Sequence, residues 1–132
     1  MMVVSYRGCL IKIIAFLLMV GFAVFLSGCA TPVAYTTKPM TEYDQHTSYA
    51  VEDFDGGFAI TVYYSRYQFI PESDAVDMAA QSQLLALAYE IAESRDREIR
   101  RINEQTIKKS MGRNGVSGIT SWSGTVKAFY AD

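Results

Sequence analysis

Apolar positions fall into three patterns along this chain, and each predicts a different element. Residues 13–26 form an unbroken run of fourteen apolar or glycine residues, the signature of a helix without a polar face. Two shorter apolar-rich runs, 48–54 and 58–69, are separated by Asp55-Gly56-Gly57, which suits the positive φ angles of a tight turn. In the second run Phe58, Ile60, Val62 and Tyr64 alternate with Ala59, Thr61, Tyr63 and Ser65, the two-residue period of a strand. Pro71 ends the hairpin, and Ser73 or Asp74 is placed to cap a following helix, with Glu72, Asp74 and Asp77 favourable against its dipole. From Ala75 onward, Val76, Ala79, Ala80, Gln83, Leu84, Leu87, Ala88, Ile91 and Ala92 recur at three- and four-residue steps. That stripe predicts an amphipathic helix to about Arg97, with Gln81, Glu90 and Glu93 facing outward.

Residues 98–106 are readable as helix or strand. Ile99, Ile102 and Thr106 continue a helical spacing, whereas 106–111 also suits a strand. Asn114-Gly115 lies between apolar-rich stretches at 107–111 and 116–130, which predicts a second hairpin with a long last strand. On that strand Trp122, Val126, Ala128 and Tyr130 share a face, with Ile119 and Phe129 on the other. The predicted architecture is α+β, in the order β-β-α-β-β: a small antiparallel sheet with one long amphipathic helix packed on it, over residues 47–132. The other sheet face is expected to be rich in Thr, Ser and Tyr.

The N-terminal run has a distinctive flank on each side. Arg7 and Lys12 precede it, no acidic residue occurs before Glu42, and it ends in Leu26-Ser27-Gly28-Cys29. Spanning a hydrocarbon core of about 30 Å takes roughly 20 apolar residues in a helix, more than this run supplies. A basic start, a short apolar segment and small residues at its end describe a secretory signal. Leu26-Ser27-Gly28-Cys29 resembles the lipobox of bacterial lipoproteins: an aliphatic residue, two small residues, then the cysteine that becomes the mature N-terminus. Small side chains admit the extended backbone to a protease cleft, and a thiol beside the membrane is a nucleophile able to take up a diacylglycerol.

The resemblance covers residues 1–29 alone. It implies cleavage between Gly28 and Cys29, thioether lipidation of Cys29, and a further acyl chain on the new amino group. Two or three long chains make a durable anchor where one binds only reversibly. Ala30 in place of aspartate resembles the pattern sorted to the outer membrane in Gram-negative bacteria, so the expected address is its periplasmic face. Three segments follow: a signal peptide over 1–28, a lipidated N-terminus and flexible tether over 29–46, and the α+β domain over 47–132. The alternative address is the inner membrane, with residues 10–28 retained as an uncleaved span.

Composition narrows the function classes. The whole chain has a formal charge of −2; without residues 1–28 it keeps ten of its twelve basic residues against fourteen acidic ones, a charge of −4. Nothing in that balance suggests a nucleic-acid partner. Cys9 and Cys29 are the only cysteines, so processing leaves no free thiol and no disulfide, and no cofactor is expected beyond the lipid on Cys29. His46 is the sole histidine and lies in the tether, which excludes an ordinary Ser-His-Asp triad in the domain and argues against a transition-metal site. Ser117, Thr120, Ser121 and Ser123 then read as a turn and a polar strand face. Gly112, Gly115 and Gly118 sit inside a hairpin rather than opening a helix, so they form no phosphate loop.

Two groups stand out as possible contact surfaces. Aromatic residues crowd the first hairpin, and Tyr63, Tyr64, Tyr67 and Trp122 are candidates for a face that meets an envelope protein or, alternatively, a cell-wall glycan or lipid. Basic residues gather at Arg95, Arg97, Arg100, Arg101, Lys108, Lys109 and Arg113. Glu93 and Asp96, four residues before Arg97 and Arg100, make helix-surface pairing the expected arrangement there. The sequence reading is therefore a non-enzymatic accessory or interaction domain, held at the envelope through its lipid.

Overall fold

The structure, a computed structural model, describes residues 2–25 and 31–132. Its elements are helix α1 (Met2–Phe25), strands β1 (Thr41–Glu42), β2 (Thr47–Phe54) and β3 (Gly57–Tyr67), helix α2 (Ser73–Ser94), a 3-10 turn at Glu104–Thr106, and strands β4 (Lys108–Asn114) and β5 (Ile119–Phe129). The expected α+β architecture is present: five antiparallel strands in the order β1-β2-β3-β5-β4, with α2 packed across one face. The two predicted hairpins are β2-β3 and β4-β5, and the long strands β3 and β5 pair at the centre over eleven residues, from Gly57↔Phe129 to Tyr67↔Ile119.

Strand alternation builds the core. Phe58, Ile60, Val62 and Tyr64 of β3, with Trp122, Val126 and Ala128 of β5 and the adjoining Tyr130, turn their side chains toward α2 and are buried. The helix returns Val76, Ala80, Leu84, Leu87, Ala88 and Ala92. Alanines at three of these six positions allow close approach to the sheet, while full burial of each large side chain contributes roughly 1.5–3 kcal/mol. Trp122 lies flat over Gly124, where a Cβ would collide with the indole ring.

Four local expectations are corrected. Neither Ser73 nor Asp74 caps α2. Its N-cap is Glu72, whose side chain makes no cap bond; the buried Gln68 amide instead donates from Nε2 to Glu72 O at 3.0 Å. The helix ends at Ser94 rather than near Arg97, because Asp96 takes φ +52° and turns the chain. In the second hairpin the positive φ belongs to Gly118 rather than Gly115, since Asn114 still belongs to β4 and pairs with Ile119. Residues 98–106 are neither continued helix nor strand: Ile99 makes an isolated bridge with Tyr130, Ile102 is buried, and Asn103 caps the 3-10 turn through a bond from Gln105 N.

The segment expected as a tether is the largest departure. From Thr31 onward it lies across the sheet face opposite α2. Val33 N donates to Ser110 Oγ on β4 at 2.9 Å, Thr36 Oγ1 to Glu52 on β2 at 2.9 Å, and Lys38 Nζ to Val51 O at 3.2 Å. It then adds β1 to the edge of β2. Asp44 accepts from the amides of His46 and Thr47, both at 2.8 Å, and Tyr43 OH donates to Glu90 of α2 at 3.1 Å. The physical reason is on the sheet beneath: Ala50 and Thr61 are too small to shield this face by themselves, and both are buried under the crossing segment. Among the described residues no helix is long and apolar enough to cross a membrane.

Candidate functional site

Strand parity divides the expected aromatic face in two. Tyr64 pairs with Trp122 and both point into the core, 7% and 0% exposed, whereas Tyr63 and Tyr67 emerge on the open face at 37% and 62%. Tyr64 and Trp122 are thus structural residues. The indole Nε1 donates to Asp77 Oδ1 at 2.8 Å, and the other carboxylate oxygen accepts from Lys109 Nζ at 2.6 Å. Burial pushes the Asp77 carboxyl up, but the bonds from Lys109 and Trp122 and the lysine charge outweigh it, and the pKa is lowered.

The open face has a hydroxyl-rich centre. Thr61 Oγ1 donates to Thr125 Oγ1 at 3.1 Å, Thr125 Oγ1 donates to Ile60 O at 3.1 Å, and Tyr63 OH donates to Ser121 Oγ at 3.0 Å. These hydroxyls are partnered with one another or with backbone, and none meets a histidine or carboxylate that would activate it. The His46 ring bonds Ser65 O at 3.1 Å. No group of three or more potential metal ligands occurs among the described residues. Between the crossing segment and the sheet runs a groove of about 410 Å³, bounded by Thr31 to Thr36 above and by Tyr63, Ile119, Ser121 and Ser123 below.

The groove opens toward one end of the sheet, where apolar side chains project into solvent. Val116 in the β4-β5 turn is 97% exposed, Phe69 85% and Ile70 68%. Tyr67 pairs with Ile119 and lies against Gly118, and Gln68 N donates to Gly118 O at 2.9 Å. These contacts hold the β3-α2 connection beside the β4-β5 turn. Arg113 reinforces the junction, donating from Nη2 to Gln68 O at 3.1 Å and from Nη1 to Thr120 Oγ1 at 3.2 Å.

The basic stretch is used differently from the helix-surface pairing expected of it. Arg95 pairs with Asp53 at 2.6 Å and donates to Tyr130 OH at 2.9 Å; Arg97 lies 3.6 Å above the Tyr130 ring and pairs with Asp132 at 3.1 Å. Because α2 stops at Ser94, Arg97 and Arg100 fall beyond the helix, and the four-residue spacing to Glu93 and Asp96 loses its meaning. Asp53 and Tyr130 raise the Arg95 pKa, opposed by burial. Lys109 and Arg113 are likewise engaged within the fold, which leaves Arg100, Arg101 and Lys108 as exposed cations.

Leu26, Ser27, Gly28 and Cys29 lie outside the described residues. The sequence pattern did not reveal the crossing segment, because a short stretch with two prolines and no period carries no strand or helix signal; Tyr35 and Met40 within a polar run were its one trace. Compared with protein-family models, with curated proteins and with solved structures, the chain matches none.

Proposed function

We propose that this protein is an envelope lipoprotein, lipidated on Cys29 and anchored to the periplasmic face of the outer membrane, whose α+β domain is a non-catalytic interaction module. The observation that carries the reading is the position of Leu26-Ser27-Gly28-Cys29. The motif closes the unbroken apolar run of residues 13–26 and stands two residues ahead of Thr31, in the segment that packs on the sheet. Signal recognition needs a short apolar segment ending in small residues ahead of the cysteine, and residues 13–28 supply it. The interaction role is supported by the open face, where Thr61, Tyr63, Ser121 and Ser123 line a groove together with the crossing segment.

Processing tests the anchor. Globomycin, which blocks the lipoprotein signal peptidase, is expected to make a precursor that retains residues 1–28 accumulate, and Cys29→Ala is expected to abolish lipid incorporation. Unchanged processing under globomycin, or a mature mass that keeps the apolar segment, overturns the reading in favour of an inner-membrane span.

A further inference from the structure

The crossing segment begins at the same end of the sheet as the exposed apolar side chains. Thr31 and Pro32 line the groove together with Asn114, Ser117 and Ile119, residues that flank the β4-β5 turn carrying Val116. Cys29 is two residues before Thr31, so at most about 7 Å of extended chain separates it from the domain. If lipid chains hold Cys29 at the bilayer surface, this end of the domain has no room to stand away from it.

We infer that the tip formed by Tyr67, Phe69, Ile70, Val116 and Ile119 is a membrane-docking surface that enters the interfacial region of the bilayer beside the lipidated cysteine. The inference rests on the anchor reading above. Its occupant is lipid because the covalent anchor brings lipid, ahead of any partner, to within two residues of Thr31, which lines the same groove as Ser117 and Ile119 beside the tip. The chemistry fits an interface: three aliphatic or phenyl side chains exposed between 68% and 97%, flanked by the half-apolar, half-polar Tyr67, which suits the headgroup boundary. Arg66 is the exposed cation nearest the tip, but Glu72 and Asp74 are exposed on the adjoining helix start, so insertion depends on apolar burial rather than on attraction to anionic lipid. Apolar side chains clustered and exposed in this way mark a contact site.

Docking also fixes orientation. Helix α2 starts beside the tip at Ser73 and runs to Ser94, where Arg95 reaches Asp53 of the first hairpin; its 22 residues span about 33 Å. The Arg95, Arg97 and Tyr130 cluster therefore faces away from the membrane, toward whatever the domain meets.

The test uses the full lipidated protein reconstituted in vesicles that contain brominated phosphatidylcholine. Mature chain lacks any other free thiol, so Val116→Cys, Phe69→Cys and, at the far end of α2, Glu93→Cys each accept a single environment-sensitive fluorophore. Bromine quenching at positions 116 and 69 is expected to exceed that at 93 by about twofold or more, consistent with side chains some 5–10 Å into the headgroup boundary. The lipid mass on Cys29 is measured on the same preparations. Lipid present with equal quenching at all three positions overturns the docking tip alone; lipid absent from Cys29 overturns the anchor and the tip together. A Val116→Asp substitution in the Phe69→Cys protein supplies a further check, because Val116 touches no core residue: docking predicts weaker quenching at 69, and undiminished quenching overturns it.

Discussion

Trp122 ties the chemistry of single residues to the stability of the domain. Its ring is packed over Gly124, and its N–H is satisfied by a carboxylate that also holds Lys109. Asp77 therefore answers two different needs. Replacing it with asparagine retains an oxygen acceptor for the indole and removes only the ion pair, a loss of roughly 1 kcal/mol or less for a pair this exposed. Replacing it with alanine leaves a buried N–H unpaired, at about 1–3 kcal/mol. Urea unfolding followed by Trp122 emission is expected to rank wild type above Asp77→Asn and that above Asp77→Ala; equal losses in the two variants count against the indole bond. The pH dependence has a definite sign. Since the folded pKa of Asp77 is lowered, its ionised form contributes stability above the ordinary carboxylate range, and that contribution is lost as pH falls through the lower, folded value. The asparagine variant should lack this component of acid sensitivity. Parity at the same scale explains why the aromatic candidates divide: adjacent residues of a strand face opposite ways, so Tyr63 and Tyr64 cannot share a surface. Grouping them by kind conceals what their numbering already states.

The elements that the chain announces are those with a period. Alternation in β3, the three-and-four stripe of α2 and the turn residues of both hairpins arise from the chain's own geometry, and each stands close to where the pattern puts it. Element ends are less legible, because they are decided by single backbone conformations. The end of α2 illustrates this: Arg97 N bonds Ala92 O at 3.1 Å and Asp96 N bonds Glu93 O at 3.0 Å, the paired bonds of a Schellman closure, with Asp96 at the left-handed position that glycine favours. Helical spacing continues past this point through Ile99 and Ile102, yet the closure has already turned the chain, and those side chains are used by the sheet edge instead. An aspartate here retains a left-handed cost, so Asp96→Gly is expected to stabilise the domain by up to about 1 kcal/mol after the greater flexibility of unfolded glycine is subtracted. A rise in the urea midpoint with an unchanged slope checks it; a fall would mean that the Asp96 side chain makes a contribution larger than its strain.

At the scale of the whole molecule, the least legible feature is also the one that links the domain to the proposed anchor. The segment from Thr31 to Lys38 reaches the sheet through side-chain bonds on Ser110 and Glu52 and one lysine on Val51 O, with no strand ladder of its own. No local pattern records such a crossing, because its reason is a shallow sheet face formed later in the chain by Ala50, Thr61 and Thr125. Each of these bonds contributes a net 0.5–1.5 kcal/mol or so, below the roughly 5–15 kcal/mol that opens a whole domain. The segment is thus expected to detach by local opening while the sheet stays closed. Amide hydrogen exchange tests the difference: the Val33 amide should exchange at least about a hundredfold faster than those of Ile60, Val62 and Val126, and Thr36→Val should accelerate the segment without changing the central strands. Matching rates would place the segment inside the cooperative core. The distinction has a mechanical meaning. With the segment seated, the domain lies within two residues of Cys29; released as far as Thr41, it gives the chain about 40 Å of extended reach. Under the proposed lipidation of Cys29, three weak bonds on the open face would therefore separate a domain held against the bilayer from one free to range above it.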